Sequence, residues 1–141
     1  MNWFFWAMLS AVFAGATAIL AKVGVEGVNS NVATAIRTTV VLVFAWLVAW
    51  AAAPAEVRGM CALTGRTWLF LALSGVATGL SWLCYFRALQ LGEASKVAPI
   101  DKLSVVFVLV FAALFLGETR TWRTGVGGAL IAAGAIVLVL K

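Results

Sequence analysis

Residues 67–86 read TWLFLALSGVATGLSWLCYF, and residues 96–116 read KVAPIDKLSVVFVLVFAALFL. Each run matches the ~20 apolar residues that a helix needs to cross a ~30 Å hydrocarbon core. The residues between them, RALQLGEAS, hold the polar groups and the glycine of a short turn. Working outward, three further runs of the same kind lie at residues 3–21, 32–53 and 122–140. The reading is an all-α integral membrane protein with five transmembrane helices, forming one domain over residues 1–141.

Composition agrees with that reading. Of 141 residues, 65% are hydrophobic and 11% charged, whereas a soluble domain carries roughly 25% charged residues. So few charges cannot cover a water-facing globule. Disordered chains are poor in apolar residues, which excludes disorder. The first run has no basic leader and is long enough to span, so it is not read as a secretory signal. The net charge of +5 does not point to nucleic acid, because Lys and Arg of a membrane protein gather beside anionic head groups.

Punctuation between the runs is consistent with five spans. Gly24, Gly27, Asn29 and Ser30 separate the first two, and Pro54 closes the second. Ser95 is a candidate N-cap for the fourth span, and Thr119 or Thr121 for the fifth. Tryptophan prefers the membrane–water interface. With five spans, Trp3, Trp6, Trp46, Trp50, Trp68 and Trp122 all fall near the face holding the N-terminus, and Trp82 falls near the other.

Lys and Arg are almost evenly divided between the two faces. Arg58, Arg66, Arg120 and Arg123 lie on the N-terminal side. Lys22, Arg37, Arg87, Lys96 and Lys141 lie on the opposite side, with Lys102 deeper in the fourth span. The positive-inside rule needs a clear bias to fix orientation. Two readings therefore stand: insertion in both orientations, or one orientation set by the first helix.

Catalytic chemistry has little to work with. There is no His, and Cys61 and Cys84 form neither a disulfide framework nor a metal-ligand pattern. No phosphate-binding loop, zinc-protease helix or nucleophile elbow is present. No enzyme activity, metal or cofactor is expected.

Polar residues within the spans are the candidates for binding. In the third span Ser74, Thr78, Ser81 and Tyr85 share one narrow stripe, and Gly75, Gly79, Trp82 and Phe86 the adjoining one. Such a stripe lines a wet cavity or packs on neighbouring helices. Trp82 and Tyr85 are the stronger cavity candidates, with an interfacial belt as the alternative. In the first span Thr17 shares a stripe with Ser10, Ala14 and Ala21, read chiefly as close packing. Arg37, Asp101 and Lys102 each lie on the second turn of a span, where charge is costly and usually faces the interior. Arg37 and Asp101 sit at equal depth, about 9 Å in, so an ion pair between them is geometrically allowed. Arg37 and Lys102 can instead snorkel, whereas Asp101 is too short to do so. Pro99 is either an ordinary first-turn proline or a kink that frees a carbonyl. In the fifth span Gly125, Ala129 and Ala133 form one small-residue ridge, and Gly128 and Ala132 another. They are expected at an intersubunit interface, with packing inside the chain as the alternative.

The stretch from Tyr85 through Ala88, Leu89 and Pro99 to Ser104, with the ending Leu116-Gly117-Glu118, closely resembles the EamA domain of the drug/metabolite transporter superfamily. The resemblance covers nearly the whole chain. It implies a five-helix repeat whose larger relatives carry two copies in inverted orientation and export amino acids, other metabolites or drugs by alternating access. A single repeat could rebuild that arrangement as an antiparallel homodimer, with the substrate site between repeats. The small multidrug resistance proteins are relatives that work this way with four helices and a Glu in helix 1. Here the first acid is Glu26, after the first span, so their cation export is not carried over. The expected function is export of small organic metabolites such as amino acids or organic ions. The expected location is the cytoplasmic membrane of a bacterium or archaeon. The alternatives are a non-transporting membrane subunit and a component of a lipid-linked sugar flippase.

Overall fold

The structure is a computed structural model that describes residues 2–117, 119 and 121–140. Glu118 of the resemblance, and Arg120 and Lys141 of the charge comparison, lie outside the described residues. The elements run α1 (Trp3–Gly24), α2 (Ser30–Ala52), α3 (Pro54–Arg58), a 3₁₀ turn (Met60–Ala62), α4 (Gly65–Leu91), α5 (Ala94–Asp101), α6 (Ser104–Phe115) and α7 (Trp122–Val139). Five stretches are long and apolar enough to cross a membrane: Trp3–Gly24, Ser30–Ala52, Gly65–Leu91, Ala94–Phe115 and Trp122–Val139. At ~1.5 Å per residue each is close to or above the ~30 Å hydrocarbon thickness. No strand occurs among the described residues. Trp3, Trp6, Trp46, Trp50, Trp68 and Trp122 are all exposed, each within two turns of the end of a spanning helix. Trp82 alone among the seven is half-buried.

The chain divides into two compact units, Ala21–Gln90 and the described parts of Met1–Leu20 with Leu91–Lys141. In the first unit, Asn29 caps α2 by accepting a hydrogen bond from the Asn31 amide at 2.9 Å. Gly27, before it, turns the chain with φ +73°, a conformation that is open to glycine without a Cβ penalty. At the far end Pro54 cannot donate to the helical ladder. α2 stops at Ala52, and Pro54 begins the short α3.

α4 extends five residues past the expected end at Phe86, to Leu91. Its last turn is tied down by two side chains. Lys22 Nζ donates to the Leu89 carbonyl at 2.7 Å, and Gln90 Nε2 donates to the Val28 carbonyl at 2.5 Å. The last four carbonyls of a helix have no partner in it. The Lys22 ammonium satisfies one of them and also meets the negative end of the helix dipole. Val25, Phe86 and Leu89 are buried in this unit, together with Ser30 and Thr34.

In the second unit α7 packs against α5 and α6. Thr121 caps α7, its hydroxyl accepting from the Thr124 amide at 3.2 Å. Ser95 is not the cap of the fourth span. α5 begins one residue earlier, at Ala94, behind Glu93, which pairs with Lys96 at 3.0 Å. The fourth span is also not one continuous helix. Between Asp101 and Ser104 the bonding tightens to i→i−3: Leu103 N to Ile100 O, Val105 N to Lys102 O and Val106 N to Leu103 O, at 2.9–3.1 Å. Pro99 sits inside α5, two residues before its end. After α6, Gly117 reverses the chain with φ +65°.

Gly128 is where α7 meets α6. A Cβ there would stand 3.1 Å from Leu109 Cδ1. That atom is the free end of a flexible side chain bordering a groove of about 210 Å³ lined by Val106, Leu109, Gly125 and Ala129 among others. Leu109 therefore has room to turn aside. Alanine also favours a helix by about 1 kcal/mol over glycine. Gly128→Ala is expected to shift stability by less than about 1 kcal/mol in a detergent unfolding titration, since the two terms oppose each other.

Candidate functional site

Arg37 is the eighth residue of α2, roughly 10 Å from its start along the axis. Its guanidinium carbon lies over the Trp82 ring, 4.3 Å from the centroid, and 5.4 Å from the centroid of Phe86. Trp82 and Phe86 are one turn apart on α4, so both rings present themselves to one neighbour. Tyr85, between them in sequence, is half-buried and interacts electrostatically with Arg37. Arg37 itself is half-buried.

Magnitudes say what this cluster lacks. An arginine at the centre of a span costs about 2.5–3.5 kcal/mol on insertion scales. A cation–π contact returns about 0.5–2 kcal/mol. The rings offset part of the cost, and the aliphatic stem reduces it further by reaching toward the interface. The guanidinium N–H groups have no hydrogen-bond acceptor among the described residues of this unit. Glu26 and Glu56, its two carboxylates, form no ion pair with Arg37.

The other charged pair lies in the second unit. Asp101 is half-buried at the end of α5, and Lys102 Nζ donates to its Oδ2 at 3.4 Å. Because Val105 N bonds the Lys102 carbonyl, the Asp101 carbonyl loses its usual helical partner. One residue thus offers both a carboxylate and a freed main-chain oxygen at an interruption of a membrane span. Of the acids among the described residues, only Asp101 lies within any of the five spans. Arg37 and Asp101, whose equal depth allows an ion pair, belong to different units.

The remaining candidates separate by environment. Ser81 and Thr78 are exposed, and Thr78 Oγ1 donates back to the Ser74 carbonyl at 2.9 Å. Thr17 is half-buried beside buried Ala18. On α7, Gly128 is buried against Leu109 and Ala132 is half-buried, whereas Gly125, Ala129 and Ala133 are exposed. At Gly128 the neighbour is Leu109 of the same chain.

Sequence reasoning passed over Thr34 and Thr38. Thr34 lies one turn before Arg37 and Thr38 directly follows it on α2, with Thr34 Oγ1 bonded to the Ser30 carbonyl and Thr38 Oγ1 to the Thr34 carbonyl, each at 2.8 Å. Their spacing, 34, 37 and 38, is a helical stripe and was the available signal. Lys22 was counted only as an interfacial charge. Nothing in the sequence marks a main-chain carbonyl as its partner.

Comparison with known proteins adds four findings. Residues 1–140 match the family described as "EamA-like transporter family". A Sinorhizobium protein described as "Uncharacterized transporter in cobO 3'region" is 55% identical over 99% of this chain and 97% of its own length. A Streptantibioticus cattleyicolor protein described as "Probable terminal-alkyne amino-acid exporter" is 34% identical over 96% of this chain. The match spans only 44% of that exporter. No solved structure gives a significant match.

Proposed function

The chain belongs to the EamA-like transporter family, and from that premise we propose that this membrane transporter is a secondary exporter of small organic metabolites, amino acids or organic ions. It works by alternating access as an antiparallel pair of copies in a bacterial or archaeal cytoplasmic membrane. The observation that carries the reading is the interruption of the fourth span at Asp101–Leu103, with the one intramembrane acid among the described residues at the break. Irregular backbone is tolerated at membrane depth where it is buried in protein or lines a water-filled cavity, and intramembrane acids mark substrate or ion paths. The exporter resemblance supports the amino-acid class, although that protein is more than twice as long as the matched region.

Two features support the antiparallel pairing. Lys and Arg are nearly balanced between the two faces, which leaves either orientation open to the chain. On α7 the ridge Gly125, Ala129 and Ala133 is exposed, and small residues let helix backbones approach closely. Non-transporting subunit and flippase readings gain no comparable support.

Flux in proteoliposomes tests the function. Uptake or release of labelled amino acids, organic anions or organic cations above protein-free vesicles is the expected result, and no flux for any of them would remove it. Topology tests the pairing. With exposed Cys61 and Cys84 replaced, the Lys141→Cys chain is expected to be labelled from both faces, in intact cells and in inverted vesicles. Labelling from one face alone would eliminate the antiparallel homodimer.

A further inference from the structure

Resting on the transporter reading, we propose that Arg37 is the anion-recognition site of this protein, and that its substrates are small carboxylates. The carboxylate docks on the N–H groups of the guanidinium while Trp82 and Phe86 hold the guanidinium in place. Three observations on α2 and α4 lead there. The guanidinium is held by rings, at 4.3 Å from Trp82 and 5.4 Å from Phe86. Ring contact satisfies none of the five N–H donors by a carboxylate or carbonyl, and their planar fork matches a carboxylate. Those donors meet no acceptor among the described residues of the unit, and neither of its carboxylates pairs with Arg37.

The surroundings also select. Tyr85 beside the cluster offers a hydroxyl that can donate or accept, and Thr34 and Thr38 have already given their hydroxyl protons to main-chain carbonyls. No side chain described in the cluster supplies a negative charge, so a solute that is only cationic finds repulsion from Arg37 and no counter-ion. A zwitterionic amino acid or a simple monocarboxylate finds a bidentate partner and a ring surface for its apolar part. A phospholipid head group carries an anion as well, so the bilayer must be chosen to separate the two sources.

The test is equilibrium binding to the full chain in nanodiscs of zwitterionic phosphatidylcholine. The probes are benzoate, phenylalanine, phenylalanine amide and benzylamine, read by tryptophan fluorescence and by displacement of labelled benzoate. Benzoate and phenylalanine are expected to bind, and the amide and amine to bind at least about tenfold more weakly. That comparison needs no mutation. Arg37→Gln is expected to abolish the difference, and Arg37→Lys, which keeps charge but not the fork, to retain part of it. Equal binding of acid and amide, or no carboxylate binding in any case, overturns the proposal. Binding that vanishes only when phosphatidylglycerol is added supports an anion site that lipid can occupy. Cation flux without carboxylate binding would overturn this site and leave the transporter reading intact. Carboxylate binding without flux of any solute would support the site and count against transport.

Discussion

Lys22→Met is expected to destabilise the purified protein by about 1–3 kcal/mol in a detergent or bicelle unfolding titration. The size follows from what the ammonium does. α4 ends at Leu91, so the Leu89 carbonyl has no residue further along the helix to bond it. Leu89 is fully buried, and Lys22 Nζ donates to that carbonyl at 2.7 Å. A buried acceptor left without a donor costs more than an average hydrogen bond contributes, because water cannot replace the lost partner. The positive charge at the helix C-terminus adds about 0.3–1 kcal/mol. Methionine keeps the length and apolar area of the lysine stem, so packing is nearly conserved and the polar loss is isolated. Arg58→Met is the matched control. Arg58 is exposed on α3, and its loss is expected to stay within about 0.5 kcal/mol. An unchanged midpoint for Lys22→Met would mean that water reaches the Leu89 carbonyl and that Lys22 only snorkels.

The five spans were legible because the bilayer is a severe solvent. A backbone crossing it must be helical or a closed barrel, and ~20 apolar residues announce the first. The ends were less legible. The third span was expected to stop at Phe86 because Arg87 and Gln90 are polar. Both are good helix formers, and the helix simply continues to Leu91, where Arg87 Nη1 bonds Gln90 Oε1 at 3.1 Å. Hydropathy tracks the medium around a residue, whereas helix continuation depends on the backbone.

The fourth span shows the same limit more sharply. Pro99, Asp101 and Lys102 each stood out as residues, and the i→i−3 bonding beside them did not. It is a matter of dihedral angles that no spacing encodes. Arg37 and Trp82 were both singled out, yet their contact was not. Periodicity gives the face of each helix but not the rotation of one helix relative to another. The expected polar stripe of the third span illustrates this: Ser74, Thr78 and Ser81 are exposed, and the adjoining Trp82–Phe86 stripe meets Arg37. The small ridge of α7 was legible as a contact surface. Gly128 turned inward to Leu109, a choice between neighbours that composition leaves open.

Asp101→Asn is expected to reduce concentrative export to the level of protein-free vesicles, while solute-for-solute exchange through the same protein continues. A transporter without a nucleotide-binding motif must draw on a gradient, and coupling needs a group that can take up and release a proton or cation. The chain has no His, and among the described residues Asp101 is the one acid within the five spans. It sits where the fourth span is interrupted, its carboxylate 3.4 Å from the Lys102 ammonium and its main-chain carbonyl freed from the helix. Such a carboxylate can exchange Lys102 for a proton or another cation as its surroundings change, and freed carbonyls at broken helices are suited to the same role. Asparagine matches aspartate in size and can still bond Lys102 through its amide oxygen, so the fold is expected to persist. It cannot ionise, and the driven step therefore stops. Exchange requires only that substrate be bound and carried in both directions, which leaves it intact. The assay compares counterflow with export driven by an imposed proton or sodium gradient in the same vesicles. Normal driven export in Asp101→Asn would place coupling elsewhere in the protein. Loss of both modes in a folded variant would instead make Asp101 a substrate ligand, and the two activities together separate these roles in one experiment.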